Sequence, residues 1–473
     1  KAYILRAILI ASTVILFLGY DQGIISGAIL FIREELNFSE VQTEIAIGVL
    51  NIAAAFGGLL PSLFIPAYGS IWTIFIAVVI YTLGMTLIAT SFNFTIVMIG
   101  RIITGVGVGL GFTSGALYGV EIAPANDRGA VTSFIEVAIN AGLFMGYLSA
   151  LALFGLPSEY NWRLMMGAPV PPSLWLLYLL RTLPESPRWL VSKGKAQEAR
   201  EMLLATCQEA EVDGTLRDIQ ETQDLEQAED DSWKKMLFDA SVPVRHAVYI
   251  ALLVVFFQQA TGSEALVMYI PEILKDDGVE SESIKLAAAA YVGLVKTLGV
   301  FFGLALIDNP NWGRRPLLLS SIAGVGISQA LLASSFVMPT KGLAIGVAGV
   351  AITGFAGSFS FGMGPVTWVI AGEIFPRSQR SNGLSLCMFA NRFTSGVVAA
   401  TFLSMKTIMT PPGIFGFYTA VTALFFYLAH RYVPETKGLS LERIQKVLGS
   451  SAAFEDDLVG LMEAHAAEEA APP

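Results

Sequence analysis

The chain has 473 residues, of which 54% are hydrophobic and 14% are charged, and its formal net charge is −10. A soluble domain carries about 25% charged residues, so this composition excludes an ordinary soluble protein and indicates a chain that lies mostly in a lipid bilayer. The negative charge comes largely from residues 209–231 and 451–473. Because such acidic segments repel nucleic acid, we expect no nucleic-acid partner.

Apolar stretches long enough to cross a bilayer recur along the chain. A membrane-spanning helix needs about 20 mostly apolar residues, and twelve stretches meet that length. Six precede a polar middle, at residues 7–32, 46–66, 72–91, 97–122, 132–154 and 164–183. Six follow it, at residues 246–270, 286–307, 316–337, 343–370, 382–404 and 413–432. The sequence therefore predicts an all-α membrane protein with twelve transmembrane helices.

The polar middle divides these spans into two six-helix halves. We expect an N-terminal half at residues 1–183, a cytoplasmic helical domain at 184–244, a C-terminal half at 245–432 and a cytoplasmic tail at 433–473. Lys and Arg are concentrated in the loops on one side of this arrangement: Arg128, Arg188, Lys193, Lys195, Arg314, Arg315, Arg377, Arg380 and Lys437. Because cytoplasmic loops carry an excess of these residues, both termini are predicted to be cytoplasmic.

The two halves carry the same signals at matching positions. EIAPANDRG begins at Glu121 and EIFPRSQRS at Glu373, while PESPR begins at Pro184 and PETKG at Pro434. This internal repeat predicts a pseudo-twofold arrangement with a ligand site between the halves, near the middle of the membrane. Charged residues at the repeated helix ends are predicted to form a cytoplasmic gate: Glu121, Arg128, Glu185, Arg188, Arg314, Arg315, Glu373, Arg380 and Glu435.

Seven motifs follow one another along nearly the whole chain. They are GYDQGIISGA at Gly19, GRIITGVGVG at Gly100, PESPRWL at Pro184, FFQQATG at Phe256, GRRPLL at Gly313, GPVTWVIAGEIFP at Gly364 and PETKG at Pro434. In this order and spacing they resemble the sugar porter family of the major facilitator superfamily. TSFIEVAINAGLFMGYLS at Thr132 and the pair Asn391–Arg392 look most like plant polyol/monosaccharide transporters. The resemblance implies a transporter of a small polyhydroxylated solute. We expect a monomer in the plasma membrane, with the vacuolar membrane as the alternative.

One loop departs from the family pattern. The family normally has Asp-Arg-x-Gly-Arg-Arg in the first-half cytoplasmic loop. Here the segment reads IPAYGSIW, with Gly69 kept but Pro66, Ser70 and Ile71 in place of the charges. The second half keeps GRR at residues 313–315. The resemblance therefore does not extend to the charged part of the first-half gate.

Two predicted spans carry opposite charges that could form an ion pair. Asp21 lies in the middle of the first span and Arg101 lies early in the fourth. A charge at the bilayer centre costs about 2.5–3.5 kcal/mol on insertion scales, so each requires a physical reason. Burial favours a protonated carboxyl and a nearby cation favours the charged form, which makes Asp21 a candidate proton carrier with Arg101 as its partner. The resemblance implies the same roles. A permanent structural ion pair, or an Arg101 that snorkels to the interface, is the alternative.

Adjacent amides in an apolar span predict a site for a hydroxyl-rich solute. Gln258 and Gln259 each offer hydrogen-bond donors and acceptors. Trp368 follows the helix-breaking pair Gly364–Pro365, and its ring can lie against the C–H face of a sugar. Hydrogen bonding between helices is the alternative role for the two amides.

Three more charges lie within predicted spans: Glu136, Glu264 and Lys296. The Glu136 carboxylate can accept hydrogen bonds from two adjacent hydroxyls, where many sugar porters have Gln. Lys296 could pair with Glu264 or Glu136, which would lower the cost of burying both. With the residues that the resemblance adds, the predicted solute-binding set is Glu136, Gln258, Gln259, Glu264, Tyr269, Lys296, Trp368 and Asn391.

The function that these patterns favour is import of a polyol or monosaccharide with a proton, by alternating access. Facilitative uniport is the runner-up, because a carboxyl in the first span permits coupling without requiring it. A non-transporting sugar sensor is a third reading. No Walker GK[ST] motif is present, and the three histidines form no metal or catalytic pattern. We therefore expect no enzyme activity, no metal and no cofactor, with the proton as the coupling ion.

Overall fold

The computed structural model describes residues 2–122, 128–206, 212–217, 219–220, 236, 240–308, 312–376, 379–437, 444 and 448. The regular elements in these ranges are all helical, so the predicted all-α class is confirmed there. Much of the predicted middle domain and most of the predicted tail lie outside the described residues, as does the side chain of Arg128.

The first half begins with its longest helix and ends with two short ones. Its helices are α1 (Ala2–Glu35), α2 (Glu40–Gly57), α3 (Pro61–Tyr68), α4 (Ser70–Ala89), α5 (Phe94–Ile122), α6 (Arg128–Leu153), α7 (Ser158–Gly167) and α8 (Val170–Leu180). Two short helices follow in the polar middle, α9 (Pro187–Ser192) and α10 (Ala196–Thr206).

The second half contains one π-helix among its α-helices. Its elements are α11 (Val242–Ala260), α12 (Ser263–Met268), α13 (Ile270–Asp276), α14 (Glu282–Asp308), α15 (Arg314–Ser335), α16 (Lys341–Ser358), the π-helix (Phe359–Met363), α17 (Gly364–Ile374) and α18 (Arg380–Tyr432). In the described ranges nine helices are long and apolar enough to cross a membrane, or ten if α2 and α3, which are bent by 48°, form one span. This is the architecture of a multi-pass membrane protein.

Four stretches predicted as single spans are broken helices, and in two of them a proline lies at the break. The stretch at 46–66 is divided between α2 and α3, and Pro61 begins the second piece. The stretch at 164–183 is divided into α7 and α8 at Ala168 and Pro169. Proline breaks these helices because it lacks an N–H group and its ring clashes with the preceding turn. With 10 and 11 residues, neither α7 nor α8 alone reaches the length of a span.

The last two predicted spans, 382–404 and 413–432, are joined in the single helix α18. The backbone angles of Thr410 are not helical (φ 65°, ψ 160°), and Pro411 and Pro412 follow it. The loop expected between the two spans is therefore a kink, because consecutive prolines can begin a new helical turn but cannot continue the old one.

The two halves meet along two pairs of helices. α2 packs on α18, and α6 packs on α14. The Glu44 carboxylate accepts hydrogen bonds from the backbone N–H of Ser404 (2.9 Å) and from its hydroxyl. The Thr297 hydroxyl donates to the carbonyl oxygen of Asn140 (3.1 Å). These contacts hold the halves on either side of the site described below.

α1 and α6 approach each other too closely for side chains to fit between them. A Cβ on Gly19 would overlap the carbonyl oxygen of Ile139, and a Cβ on Gly142 would overlap that of Leu16. In lipid, helix association depends on van der Waals packing, and small residues at the interface permit it. The contact fixes the position of α1, which carries Asp21.

We expect Gly19→Ala to lower the melting temperature of the purified protein in detergent, because the added methyl group would push α1 away from α6. Overpacking of this kind costs about 1–3 kcal/mol. Gly346→Ala is the matched control, since a Cβ at Gly346 meets no atom within 4 Å. The control should keep its melting temperature or gain slightly, because Ala favours a helix over Gly. Equal melting temperatures for the two variants would contradict the close approach.

Candidate functional site

Asp21 and Arg101 form a fully buried ion pair inside the first half. Nη1 of Arg101 lies 2.8 and 2.7 Å from the two carboxylate oxygens of Asp21, and neither side chain has exposed surface. The guanidinium also donates from Nε to the carbonyl oxygen of Ala46 (2.9 Å) and from Nη2 to that of Ile47 (3.2 Å), both on α2. The pair therefore ties α1, α2 and α5 together, and Asp21 does not face lipid.

A cavity lies between the two halves, with about 610 Å³ of empty space that includes space open to the solvent. Asp21 is not in its wall, but the next residue, Gln22, is. Six of the eight side chains predicted to bind solute line the cavity: Glu136, Gln258, Gln259, Glu264, Lys296 and Trp368.

The amides of Gln258, Gln259 and Asn391 form one connected network. Nε2 of Gln258 donates to the carbonyl oxygens of Met363 (2.8 Å) and Gly364 (3.1 Å), where the π-helix meets α17. Asn391 donates to Oε1 of Gln258 (2.7 Å) and accepts from Nε2 of Gln259 (3.2 Å). Asn391 is fully buried and lies behind the cavity wall. It therefore orients the two glutamines, which both line the cavity and connect helices.

A turn at Gly262 positions Glu264 in the cavity wall. Gly262 has φ +81°, a left-handed conformation that glycine adopts without strain, and the ring of Tyr418 leaves no room for a Cβ there. Oε1 of Glu264 accepts hydrogen bonds from Nε2 of Gln22 (2.9 Å) and from Nη1 of Arg392 (3.3 Å). One carboxylate thus links α1 of the first half to α12 and α18 of the second.

Lys296 does not make the ion pair that the sequence suggested. Glu264 pairs with Arg392 instead, because the planar guanidinium can reach both this carboxylate and the neighbouring Asn391. The Lys296 ammonium lies 4.7 Å from the centre of the Phe359 ring, in a cation–π contact. Among the described residues, the side chains of Lys296 and Glu136 have no hydrogen-bond or ion-pair partner, although each acts on the other electrostatically.

Tyr269 lies away from the cavity, in contrast to the prediction that grouped it with the solute-binding residues. Its hydroxyl donates to the carbonyl oxygen of Ala399 (2.9 Å), and its ring stacks on Phe402 with a centroid distance of 4.8 Å. With Met268 it lines a separate, smaller cavity. The break between α12 and α13 turns this ring toward α18, where it serves packing.

Glu185, one of the predicted gate residues, caps the start of α4. Its carboxylate accepts hydrogen bonds from the backbone N–H groups of Ser70 (2.8 Å) and Ile71 (3.2 Å). Free N–H groups and the helix dipole favour a carboxylate at this end of a helix. Burial raises the pKa of Glu185, and these backbone hydrogen bonds offset part of the rise. Because the contact uses the backbone, it survives the loss of charges in the IPAYGSIW loop.

Glu435 makes the equivalent cap in the second half. It accepts from the backbone N–H groups of Arg314 (2.9 Å) and Arg315 (3.1 Å) at the start of α15. Gly69 and Gly313 occupy matching places, since a Cβ on either would overlap the capping carboxylate. The repeat of PE motifs in the sequence therefore corresponds to a repeat of one interaction.

The side chains of the predicted gate residues make different contacts in the two halves. In the second half, Nη2 of Arg314 lies 3.4 Å from Oε1 of Glu373. In the first half, the hydroxyl of Ser70 lies 3.5 Å from Oε2 of Glu121, and Arg188 attracts this carboxylate electrostatically. These contacts connect helices within one half. Of the other predicted gate residues, Arg380 begins α18, and the side chain of Arg128 lies outside the described residues.

Four polar residues that line the cavity were not predicted from the sequence: Gln22, Asn140, Ser263 and Arg392. Arg392 had a detectable signal, because a cation inside a predicted span requires a partner or a function. Gln22 and Asn140 are neutral and stand on helix faces that periodicity does not distinguish. In the described ranges, no group of three or more His, Cys, Asp and Glu side chains could hold a metal ion.

Comparison with known proteins places this arrangement in a family. The profile of the family described as "Sugar (and other) transporter" matches residues 7–448. The chain belongs to the sugar porter family of the major facilitator superfamily. This sugar porter is 37% identical over 470 residues to "Probable polyol transporter 4" of Arabidopsis thaliana, which covers 98% of the chain and 88% of that protein. It is 30% identical to the galactose-proton symporter of Escherichia coli strain K12, over 92% of each chain.

Solved structures show the same fold. The proton:xylose symporter XylE bound to 6-bromo-6-deoxy-D-glucose superposes with a TM-score of 0.80 at 27% identity, over 94% of this sugar porter and 99% of that chain. The inward-open conformation of the xylose transporter XylE from E. coli gives the same TM-score at 25% identity, over 94% and 100% of the two chains. These relatives are transporters, and this sugar porter is a transporter rather than an enzyme.

We expect Arg101→Gln to destabilise this sugar porter by about 3–5 kcal/mol, because it leaves the buried charge of Asp21 without its partner. The double variant Asp21→Asn/Arg101→Gln should recover part of this loss, since it removes both charges. Melting temperatures of the two single variants and the double variant give the coupling between the residues. Strictly additive losses would contradict the ion pair.

Proposed function

We propose that this sugar porter imports a polyol or monosaccharide together with a proton by alternating access. The observation that carries the proposal is the position of the buried Asp21–Arg101 pair, one residue away from Gln22 in the wall of the cavity between the halves. A coupled transporter needs a solute site between two halves that can move and a group that carries the coupling ion. Both features lie on or beside α1.

The relatives support the substrate class and the coupling ion. Those compared above include a probable polyol transporter, a galactose-proton symporter and a proton:xylose symporter. The cavity offers what such solutes need. Gln258 and Gln259 can donate to and accept from hydroxyl groups, and Trp368 provides an aromatic face for the C–H side of the solute.

The proposal takes the twelve predicted spans as the architecture. In it, α2–α3, α7–α8, α11–α12 and α16–α17 are each one broken span, and the two parts of α18 on either side of Thr410 are the last two. Broken spans are typical of transporters, because unwound backbone can line a solute site. The excess of Lys and Arg supports cytoplasmic termini, with the middle domain (184–244) and the tail (433–473) on the same side. A monomer in the plasma membrane is part of the proposal.

Coupling begins at the Asp21 carboxylate. When a proton neutralises it, Arg101 loses its charged partner but keeps the carbonyl oxygens of Ala46 and Ile47. The tie between α1 and α5 then weakens while the tie between α2 and α5 persists. Because α1 also carries Gln22, which donates to Glu264 of the second half, the change at Asp21 reaches a contact between the halves.

Movement of the halves requires bound solute as well as a protonated Asp21. Solute and proton bind from the outside, the halves rock about the cavity, and loss of the proton to the cytoplasm restores the ion pair with Arg101. The Glu185 and Glu435 caps join elements of the same half, so they would hold each half together as it moves. The intact Glu185 cap favours transport over a non-transporting sensor, because the altered loop keeps its backbone contact.

We expect Asp21→Asn to abolish accumulation driven by a pH gradient while solute binding and exchange continue. Asn keeps the shape of the side chain but cannot carry a proton. The measurement is uptake of a panel of polyols and sugars into proteoliposomes, with and without an imposed pH gradient. Alkalinisation of the external medium during uptake is recorded in parallel.

Glu159→Gln is the matched control for this experiment, because it neutralises an exposed carboxylate. It should accumulate solute as the parent protein does. Undiminished accumulation by Asp21→Asn would refute the proton role. A parent protein that exchanges solute but never accumulates it or alkalinises the medium would instead be a uniporter.

A further inference from the structure

The cavity wall contains two carboxylates and two cations. Glu136 and Glu264 are the carboxylates, and Lys296 and Arg392 are the cations. With all four ionised, their charges sum to zero. The four side chains are distributed unequally, since only Glu136 belongs to the first half.

Two of these charges satisfy each other. Arg392 lies 3.3 Å from Glu264, and the carboxylate also accepts a hydrogen bond from Gln22. Two further N–H groups of the Arg392 guanidinium donate to Oδ1 of Asn391 (3.1 and 2.7 Å). Both charges still act on the other two, since Glu264 attracts Lys296 more strongly than Glu136 does and Arg392 attracts Glu136.

The other two charges face the cavity without such partners. Glu136 lies on α6 of the first half, and Lys296 lies on α14 of the second half. In the part of the chain that the structure describes, neither side chain has a hydrogen-bond or ion-pair partner within 4.0 Å. Each nevertheless acts electrostatically on the other. The two are an acid and a base on neighbouring helices of the two halves, since α6 packs on α14, and they attract each other without forming a direct ion pair.

We propose that Glu136 and Lys296 form a split charge pair that sets the net charge of the solute this site accepts. The inference rests on the proposed transport function and deepens it. The site takes uncharged polyols or sugars, and it excludes sugar acids and amino sugars of the same size. A hydroxyl group of the solute bridges the pair, donating to the Glu136 carboxylate and accepting from the Lys296 ammonium.

The chemistry of a hydroxyl group suits this gap. It has one donor and two acceptor sites, so one hydroxyl group can donate to the Glu136 carboxylate and accept from the Lys296 ammonium. A second, adjacent hydroxyl group can make the same two hydrogen bonds. A buried polar group without a partner is costly, so the pair favours a solute with a hydroxyl group that contacts both side chains. A deoxygenated carbon at that place would leave both charges unsatisfied.

The balance of charges explains why a charged solute would be rejected. Transfer of an uncompensated ion into a poorly solvated site is costly. Because the four ionised wall charges sum to zero, a carboxylate or an ammonium on the solute would bring a charge that the wall does not compensate. Removing one wall charge should therefore admit the solute whose charge replaces the missing one.

The test compares three solutes of one carbon skeleton on purified protein at neutral pH. Sorbitol, gluconate and glucamine are neutral, anionic and cationic, and glucose, glucuronate and glucosamine form a second set. Binding is measured by calorimetry and by uptake competition. Glu136→Gln should raise the affinity for the anion relative to the neutral solute by at least about tenfold, a difference of about 1.4 kcal/mol. Lys296→Gln should do the same for the cation.

The double variant Glu136→Gln/Lys296→Gln restores a net charge of zero and should recover the parent preference for the neutral solute. This recovery also excludes misfolding as the cause of the single-variant effects. Glu280→Gln and Lys275→Gln, which neutralise exposed side chains, are the matched controls and should keep the parent selectivity. Single variants that weaken binding of all three solutes by the same factor would overturn the split charge pair.

The proposal can fail separately from the proposed function. A parent protein that binds the neutral solute, together with variants that show no reciprocal shift, overturns only the split charge pair. A parent protein that binds no member of either set, or prefers a charged member, contradicts the polyol or sugar substrate itself and the split pair with it.

Discussion

Charge in a poorly solvated interior is the constraint that organises this protein. The Asp21–Arg101 pair meets it by complete burial and mutual neutralisation, with the guanidinium also satisfied by carbonyl oxygens of α2. Removing one partner of such a pair is far more costly than removing both. The close packing of α1 on α6 and this ion pair together fix the position of α1, and α1 carries Gln22 to the cavity.

The unpaired backbone groups at helix breaks are a second constraint on this structure. Broken helices leave carbonyl and N–H groups without partners inside the membrane, and each needs a substitute. At the junction of the π-helix and α17, the side-chain amide of Gln258 is the hydrogen-bond partner of the Met363 carbonyl oxygen. Gln259 is held in place by its hydrogen bond to Asn391. The same amides line the cavity, so under the proposed function the groups that satisfy the backbone also present hydrogen-bonding atoms to the solute. Structural and solute-binding roles are therefore not exclusive for these residues.

The two halves show which parts of a repeated motif are essential. Glu185 and Glu435 cap α4 and α15 through backbone N–H groups, and a glycine lies immediately before each capped helix. The side chains around them differ, since Ser70 stands where the second half has Arg314. A cap made by the backbone tolerates this change, because the helix dipole and its free N–H groups are the same whatever the side chain.

The sequence by itself determined the helical class, the membrane location, the family and six residues of the cavity wall, because apolar length, intramembrane charge and motif order are local properties of the chain. It also brought Asp21 and Arg101 together, since two opposite charges in hydrocarbon have few other partners. It did not determine that Arg392 rather than Lys296 pairs with Glu264, that Tyr269 turns toward α18, or that α7 and α8 are separate. Those outcomes depend on which helix faces meet in three dimensions. Small differences in reach and angle decide among several acceptable partners there, and only the packed tertiary structure contains that information.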